Sequence, residues 1–216
     1  ELVQDALQAF NIEPDLDLDL MQDNQQPIEF LSECLTTLNL LFDEYTPDVV
    51  VVQGDTTSTL AGTIVAYHRK IPVAHVEAGL RTNDRYSPFP EEGNRVIVDH
   101  LSTIRFAPTS DSVNNLKKEN LDAFLTGNTV VDAVHMIRDK IFEHETIQAK
   151  YQILVTVHRR ENFGLPLGRI IQAVESLAAI YPKLRFIWPV HPNPNVRRSV
   201  RSAFQDMPSV RVIDPV

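Results

Sequence analysis

The chain has 216 residues, 43% of them hydrophobic and 23% charged, a composition ordinary for a soluble globular protein of one or two domains. No apolar run approaches the roughly 20 residues needed to span a bilayer, and a formal net charge of -9 argues against a phosphate-backbone partner, which requires a basic face. Cys34 is the only cysteine, so no internal disulfide can form, and a reducing, cytosolic setting is the natural reading.

The chain opens inside a helical pattern, ELVQDALQAF, with Leu2, Ala6, Leu7 and Phe10 on one face. A polar connection rich in Asp and Pro follows, whose D-L-D-L alternation fits a short edge strand or a solvated loop. Residues 27–45 place Phe30, Leu31, Leu35, Leu38, Leu41 and Phe42 at helical spacing, and Pro47 closes that helix. DVVVVQGD is a β-branched run of the kind buried on both faces of a parallel sheet. Residues 56–70 predict the next helix, with Thr56 or Thr57 as its N-cap. IPVAHVEA predicts a second strand, and strand–helix–strand crossovers of this sort are parallel and right-handed. PEEGNRVIVDHLS predicts a helix with Pro90 in its first turn and acids at its positive dipole end.

The alternation continues through strand STIRFAPT, helix DSVNNLKKEN, strand AFLT and helix TVVDAVHMIRDKIFEHE. The polar residues 144–150 make the best joint. After them come a strand ending at His158, a helix from Pro166, a strand ending at His191, a helix over NPNVRRSVRSAFQD and a final strand, VRVIDPV. Two α/β series about a polar joint predict two Rossmann-like, doubly wound domains over 1–145 and 146–216. Neither end reads as the end of a protein, which predicts a segment of something longer.

Candidate chemistry sits where strands end and helices begin, the edge at which open α/β sheets bind ligands. Asp55 follows the valine run, and its alternative role is to cap the next helix. Glu77 ends an apolar strand before Ala78 and Gly79, without polar company. That environment suits a carboxylate to trading protons, unless a salt bridge to Arg81 or Arg95 occupies it. His75, on the same face of that strand, reads as a packed residue. Glu91 and Glu92 open a helix, where acids are favoured for dipole reasons alone. Carboxylates in different environments can divide acid and base roles.

In the second series, His158-Arg159-Arg160-Glu161-Asn162 carries two guanidiniums suited to bidentate phosphate contact, against the alternative of a solvated basic turn. His191 repeats that placement one strand later, with no third residue nearby to complete a metal site. Neither a G-x-G-x-x-G nor a P-loop pattern is present.

Six motifs in this order carry a specific resemblance: QGDTTST, HVEAGLRT, YSPFPEEGNR, TGNTVVD, VHRRENFG and PVHPNPNV. Together they resemble the non-hydrolysing UDP-N-acetylglucosamine 2-epimerases of bacteria and archaea. The resemblance implies a glycosyltransferase-B type fold, a homodimer in the cytoplasm serving cell-envelope polysaccharide biosynthesis, and no nicotinamide or metal. It implies interconversion of UDP-N-acetylglucosamine and UDP-N-acetylmannosamine by elimination of UDP to 2-acetamidoglucal and re-addition. Asp55, Glu77, Glu91 and His158 fall on the family's catalytic positions. Arg81, Arg95, Asn128, Arg159, Arg160, Glu161 and Asn162 fall among substrate- and nucleotide-binding positions, and Arg159 and His191 on a regulatory UDP-N-acetylglucosamine site.

The family's opening G-T-R-P-E-like loop and its later D-S-G-G region are absent from this sequence. Residues 1–216 alone are therefore expected to be inactive or poorly folded. Two alternatives stay open: a hydrolysing epimerase that releases free N-acetylmannosamine, and a non-catalytic UDP-sugar-binding protein of the same fold.

Overall fold

The computed structural model describes residues 2–22, 25–141, 151–157, 163–191 and 193–214. The chain divides into two compact units, Glu1–Glu143 and His144–Val216.

In the first unit, α1 (Leu2–Ala9) is followed by the acidic connection, which forms no strand; Leu16 and Met21 stand exposed along it. Helix α2 (Pro27–Glu44) starts on a proline, which lacks the N–H that a first helical turn leaves unpaired. The Glu29 carboxylate accepts from the Gln26 N–H at 2.9 Å and closes that end. Strands β1 (Val50–Gln53), β2 (Val73–Val76), β3 (Ile104–Ala107) and β4 (Phe124–Leu125) form one parallel sheet in chain order. Helices α3 (Thr57–His68), α4 (Glu91–Leu101) and α5 (Ser110–Lys118) connect them, and α6 (Thr129–Ile141) follows β4.

The valine run behaves differently from the expectation of burial on both faces. Val52 packs with Phe42, Leu60, Val65 and Val73 in the core, but Val51 on the opposite face is 64% exposed. Among the described residues β1 is the sheet's edge, and the α2–α3 layer covers only one of its sides.

In the second unit β5 (Gln152–Leu154), β6 (Arg185–Pro189) and β7 (Val210–Ile213) form a parallel sheet, again in chain order. Helix α7 (Leu165–Ile180) turns Leu167, Ile171, Val174 and Ala178 inward, a stripe at helical spacing. Helix α8 (Pro194–Ala203) adds Val196 and Val200. Phe186 and Trp188 of β6 are enclosed between these layers. Two strands are shorter than expected. β5 stops at Leu154 instead of reaching His158, and β6 stops at Pro189 instead of His191; Pro189 has no N–H to give the ladder.

Candidate active site

The site is built at the carboxyl ends of β1 and β2. After Gln53 the chain turns through Gly54, whose φ of +75° suits a residue without a side chain. The next helix is capped by Thr56, whose hydroxyl accepts from the Thr59 N–H at 3.3 Å. The cap is therefore not Asp55, and its carboxylate is left for another use. After Val76 the chain turns through Glu77, a non-glycine residue at φ +73°. Such a conformation costs on the order of 1 kcal/mol or more and persists where the surroundings impose it. Here the N–H groups of Glu77 and Ala78 both donate to the Phe106 carbonyl, at 3.1 and 3.0 Å. Gly79 follows at φ +84°; a Cβ there would stand 2.4 Å from the Ser112 carbonyl oxygen. Only glycine fits.

These two turns meet the first turns of α4. A Cβ placed on Gly54 would lie 3.7 Å from Glu77 Oε2, so the Glu77 carboxylate rests beside the residue preceding Asp55. The Asn94 side chain donates to the Asp55 carbonyl at 2.9 Å. Arg95 pairs through Nη2 with the Asp55 carboxylate and through Nη1 with Glu92 at 3.1 Å. Glu92, only 3% exposed, also accepts from the backbone N–H groups of Thr82 and Asn83 at 2.9 and 3.0 Å. It thus latches the 82–90 loop onto the helix. Glu91, one residue earlier, differs: its Oε2 is buried and has no hydrogen-bond partner, as does Nε of Arg95.

Behind the turns lies a second, fully paired network. His75 Nδ1 lies 2.7 Å from Asp99 Oδ1, and its Nε2 lies 2.8 Å from the Gly54 carbonyl oxygen. Asp99 Oδ2 accepts from the Gly79 N–H at 3.1 Å and from Arg81 Nη1 at 2.7 Å. Arg81 also grips Glu119 with two bonds of 2.8 Å. Burial acts to raise the Asp99 carboxyl, but His75 and Arg81 outweigh it and hold the group below its usual range. Arg81, disfavoured as a cation by burial, is raised overall by Glu119 and Asp99. The Arg81 hydrogen bond is the largest influence lowering Glu119. Arg105 closes the far end of α4 by donating to the Asp99 and Ser102 carbonyls.

The structure thus brings Asp55, Glu77 and Arg95 to one sheet edge, with Glu91 in the first turn of the helix that carries Arg95. Among the described residues no ion pair joins Glu77 to Arg81 or Arg95, because both guanidiniums are committed to other carboxylates. Arg81, 4% exposed at its side chain, is placed as a brace within the network rather than as a reaching group. Asn128 uses its Oδ1 to accept from the Val130 N–H at 3.0 Å at the start of α6. His158, Arg159, Arg160, Glu161 and Asn162 lie outside the described residues. In the second unit His191 accepts through Nδ1 from the Asn193 N–H at 3.1 Å, and its ring meets Phe163 edge-on at 5.5 Å. A cavity of about 370 Å³ lies next to it, lined by Phe163, Gly164, Gly168, Asn193 and Ser199 among others.

Sequence reasoning did not find the roles of Glu92 and Asp99. A signal was available: both sit on one face of α4, seven residues apart, where an inward-facing helix ordinarily carries apolar side chains.

With this geometry in view, similarity to known proteins becomes informative. The family model for UDP-N-acetylglucosamine 2-epimerase matches residues 1–216. The chain is 42% identical to the UDP-N-acetylglucosamine 2-epimerase of Salmonella typhimurium, over the whole chain and 61% of that protein. It is 40% identical to that of Bacillus subtilis, over the whole chain and 58% of that protein. The chain thus spans about 60% of the length of the curated relatives it matches. Among solved structures, the UDP-GlcNAc 2-epimerase of Neisseria meningitidis bound to UDP-GlcNAc superposes with a TM-score of 0.92 at 39% identity, covering all of this chain and 62% of that one. The Methanocaldococcus jannaschii enzyme in complex with UDP-GlcNAc and UDP gives 0.82 at 33% identity, covering 97% of this chain and 61% of that one. The fold is α/β, of the Rossmann-like glycosyltransferase-B type, and the chain holds part of it.

Proposed function

The chain belongs to the UDP-N-acetylglucosamine 2-epimerase family, and on that premise we propose that the full-length protein interconverts UDP-N-acetylglucosamine and UDP-N-acetylmannosamine without net hydrolysis. A base removes the C2 proton while the C1–O bond to UDP breaks, leaving 2-acetamidoglucal and UDP. The oxygen of UDP then bonds again to C1, and a proton is delivered to the other face of C2. No electrons leave the system and no water enters the product.

The observation that supports this reading is three carboxylates in three different settings, at the ends of β1 and β2 and the start of α4. Asp55 is charge-paired with Arg95, Glu77 sits without an ion pair among the described residues, and Glu91 keeps a buried oxygen unpartnered. Proton transfer to and from opposite faces of one carbon needs groups that are not equivalent. We assign the proton-handling roles to Asp55, Glu77 and Glu91, with His158 as a fourth catalytic group. Arg95 orients Asp55. Arg159, Arg160, Glu161, Asn162 and Asn128 are assigned to the nucleotide sugar, and Arg159 and His191 to a regulatory UDP-N-acetylglucosamine. The acting form is proposed to be a homodimer.

Turnover of UDP-N-acetylglucosamine by the full-length protein in D2O tests the reading. The expected product is UDP-linked N-acetylmannosamine carrying deuterium at C2. Free N-acetylmannosamine with equimolar UDP would overturn it in favour of a hydrolysing reaction.

A further inference from the structure

Two buried groups behind the acids have no part in the chemistry above. His75 and Asp99 are both fully enclosed, and each is held by hydrogen bonds on more than one side. A carbonyl oxygen only accepts, so His75 Nε2, 2.8 Å from the Gly54 carbonyl, must carry hydrogen. Asp99 Oδ2 already takes the Gly79 N–H and Arg81 Nη1, as an ionised carboxylate does. Oδ1 then faces Nδ1 at 2.7 Å, so the ring spans Asp99 on one side and the Gly54 carbonyl on the other.

What this pair holds is specific. Gly54 immediately precedes Asp55, and its N–H is tied to the Val76 carbonyl at 3.0 Å. Gly79 lies two residues past Glu77, and Asp99 grips its N–H. Both turns run through positive φ, and the Glu77 carboxylate rests against Gly54. One buried pair therefore fastens the turn bearing Asp55 and the turn bearing Glu77 to each other and to α4. We propose that His75, paired with Asp99, is a positioning residue for the epimerisation, fixing Asp55 through the Gly54 carbonyl and Glu77 through Asp99 and Gly79. This rests on the epimerase reading above.

The two arms can be cut separately in the full-length protein. In His75→Asn the amide nitrogen stands near the Nδ1 position and donates to Asp99, but nothing reaches Gly54. In His75→Gln the amide nitrogen stands near Nε2 and donates to Gly54. The expected result is a fall in kcat of roughly 10- to 100-fold for His75→Asn, since small misplacements of reacting groups cost about that much. KM should stay within about threefold of the parent while C2 deuterium incorporation slows in parallel with kcat, and His75→Gln should recover part of the loss, as expected if orientation rather than binding is impaired. A folded His75→Asn variant with the parent's kcat would overturn the proposal, as would a loss confined to KM. Should neither variant fold, nitrogen NMR of the unaltered protein decides: hydrogen on His75 Nε2 is the expected pattern, and a bare Nε2 overturns the proposal, because the ring could then not donate to the Gly54 carbonyl. That spectrum does not depend on turnover. A protein with hydrogen on Nε2 but no epimerisation would instead refute the functional reading, and with it the proposed role in catalysis.

Discussion

Arg95 lays its guanidinium on the carboxylate of Asp55, forty positions earlier in the chain, while its other arm holds Glu92. The pairing explains how an acid at a strand end is aimed without help from its own helix, and why a buried Glu92 is tolerated next to it.

Arg95→Met removes both contacts and keeps the stem. It leaves Glu92 with its two backbone donors but without its cation, and Asp55 free to turn. Uncompensating a buried carboxylate in this way is expected to destabilise by about 3 kcal/mol, read as a lower denaturant midpoint. Turnover of the full-length protein should drop as well, through loss of Asp55 orientation.

Glu77→Gln keeps shape and removes the exchangeable charge. Because Glu77 has no ion pair among the described residues, the melting temperature should hardly change. Turnover should fall by roughly 10²- to 10⁴-fold, the range of general acid–base contributions. Full turnover in Glu77→Gln would remove this carboxylate from the mechanism.

Gly79→Ala meets two obstacles at once: a φ of +84° and a Cβ position 2.4 Å from the Ser112 carbonyl oxygen, with Leu116 as close as 2.8 Å. The backbone carbonyl cannot swing aside as a flexible side chain does. A loss of about 3 kcal/mol or more, or failure to fold, is expected from strain and overpacking together. A thermal melt of the variant against the parent reads it.

Acid should undo the network behind the site. The Asp99 carboxyl is pushed up by burial but drawn further down by His75 and Arg81, and Glu119 is lowered chiefly by its hydrogen bond from Arg81. Groups whose folded pKa lies below the unfolded value stabilise fully above the unfolded value, near 4, and lose that contribution as pH falls through the folded one. Denaturation midpoints should therefore be flat with respect to these groups above about pH 5 and decline below about 4. Asp99→Asn should be less stable at neutral pH, since Arg81 and His75 lose their anion, and should show a shallower acid decline.

The sequence made the alternation of strands and helices legible because buried β-branched runs and helical stripes are local signals, as in residues 50–53 and in α7. It also placed Asp55, Glu77 and Glu91 at element ends. What it could not carry was partner choice. Arg81 and Arg95 were equal candidates for Glu77 by spacing; the fold gives Arg81 to Asp99 and Glu119 and Arg95 to Asp55 and Glu92. Coverage was also invisible: the four valines before Gln53 read alike, yet Val52 is enclosed and Val51 is not. Which side of a strand is covered depends on where the flanking helices pack, which the strand's own residues do not encode.

The single tryptophan of this chain, Trp188, lies in the interior of the second unit, its ring 5.5 Å from that of Phe204. Its emission therefore reports the packing of α7 and α8 on β6. Followed together with far-ultraviolet circular dichroism, which draws on both units, it offers a built-in optical label for the smaller unit. Noncoincident unfolding curves from the two signals would separate the melting of the acid-bearing unit from that of its neighbour without any added dye.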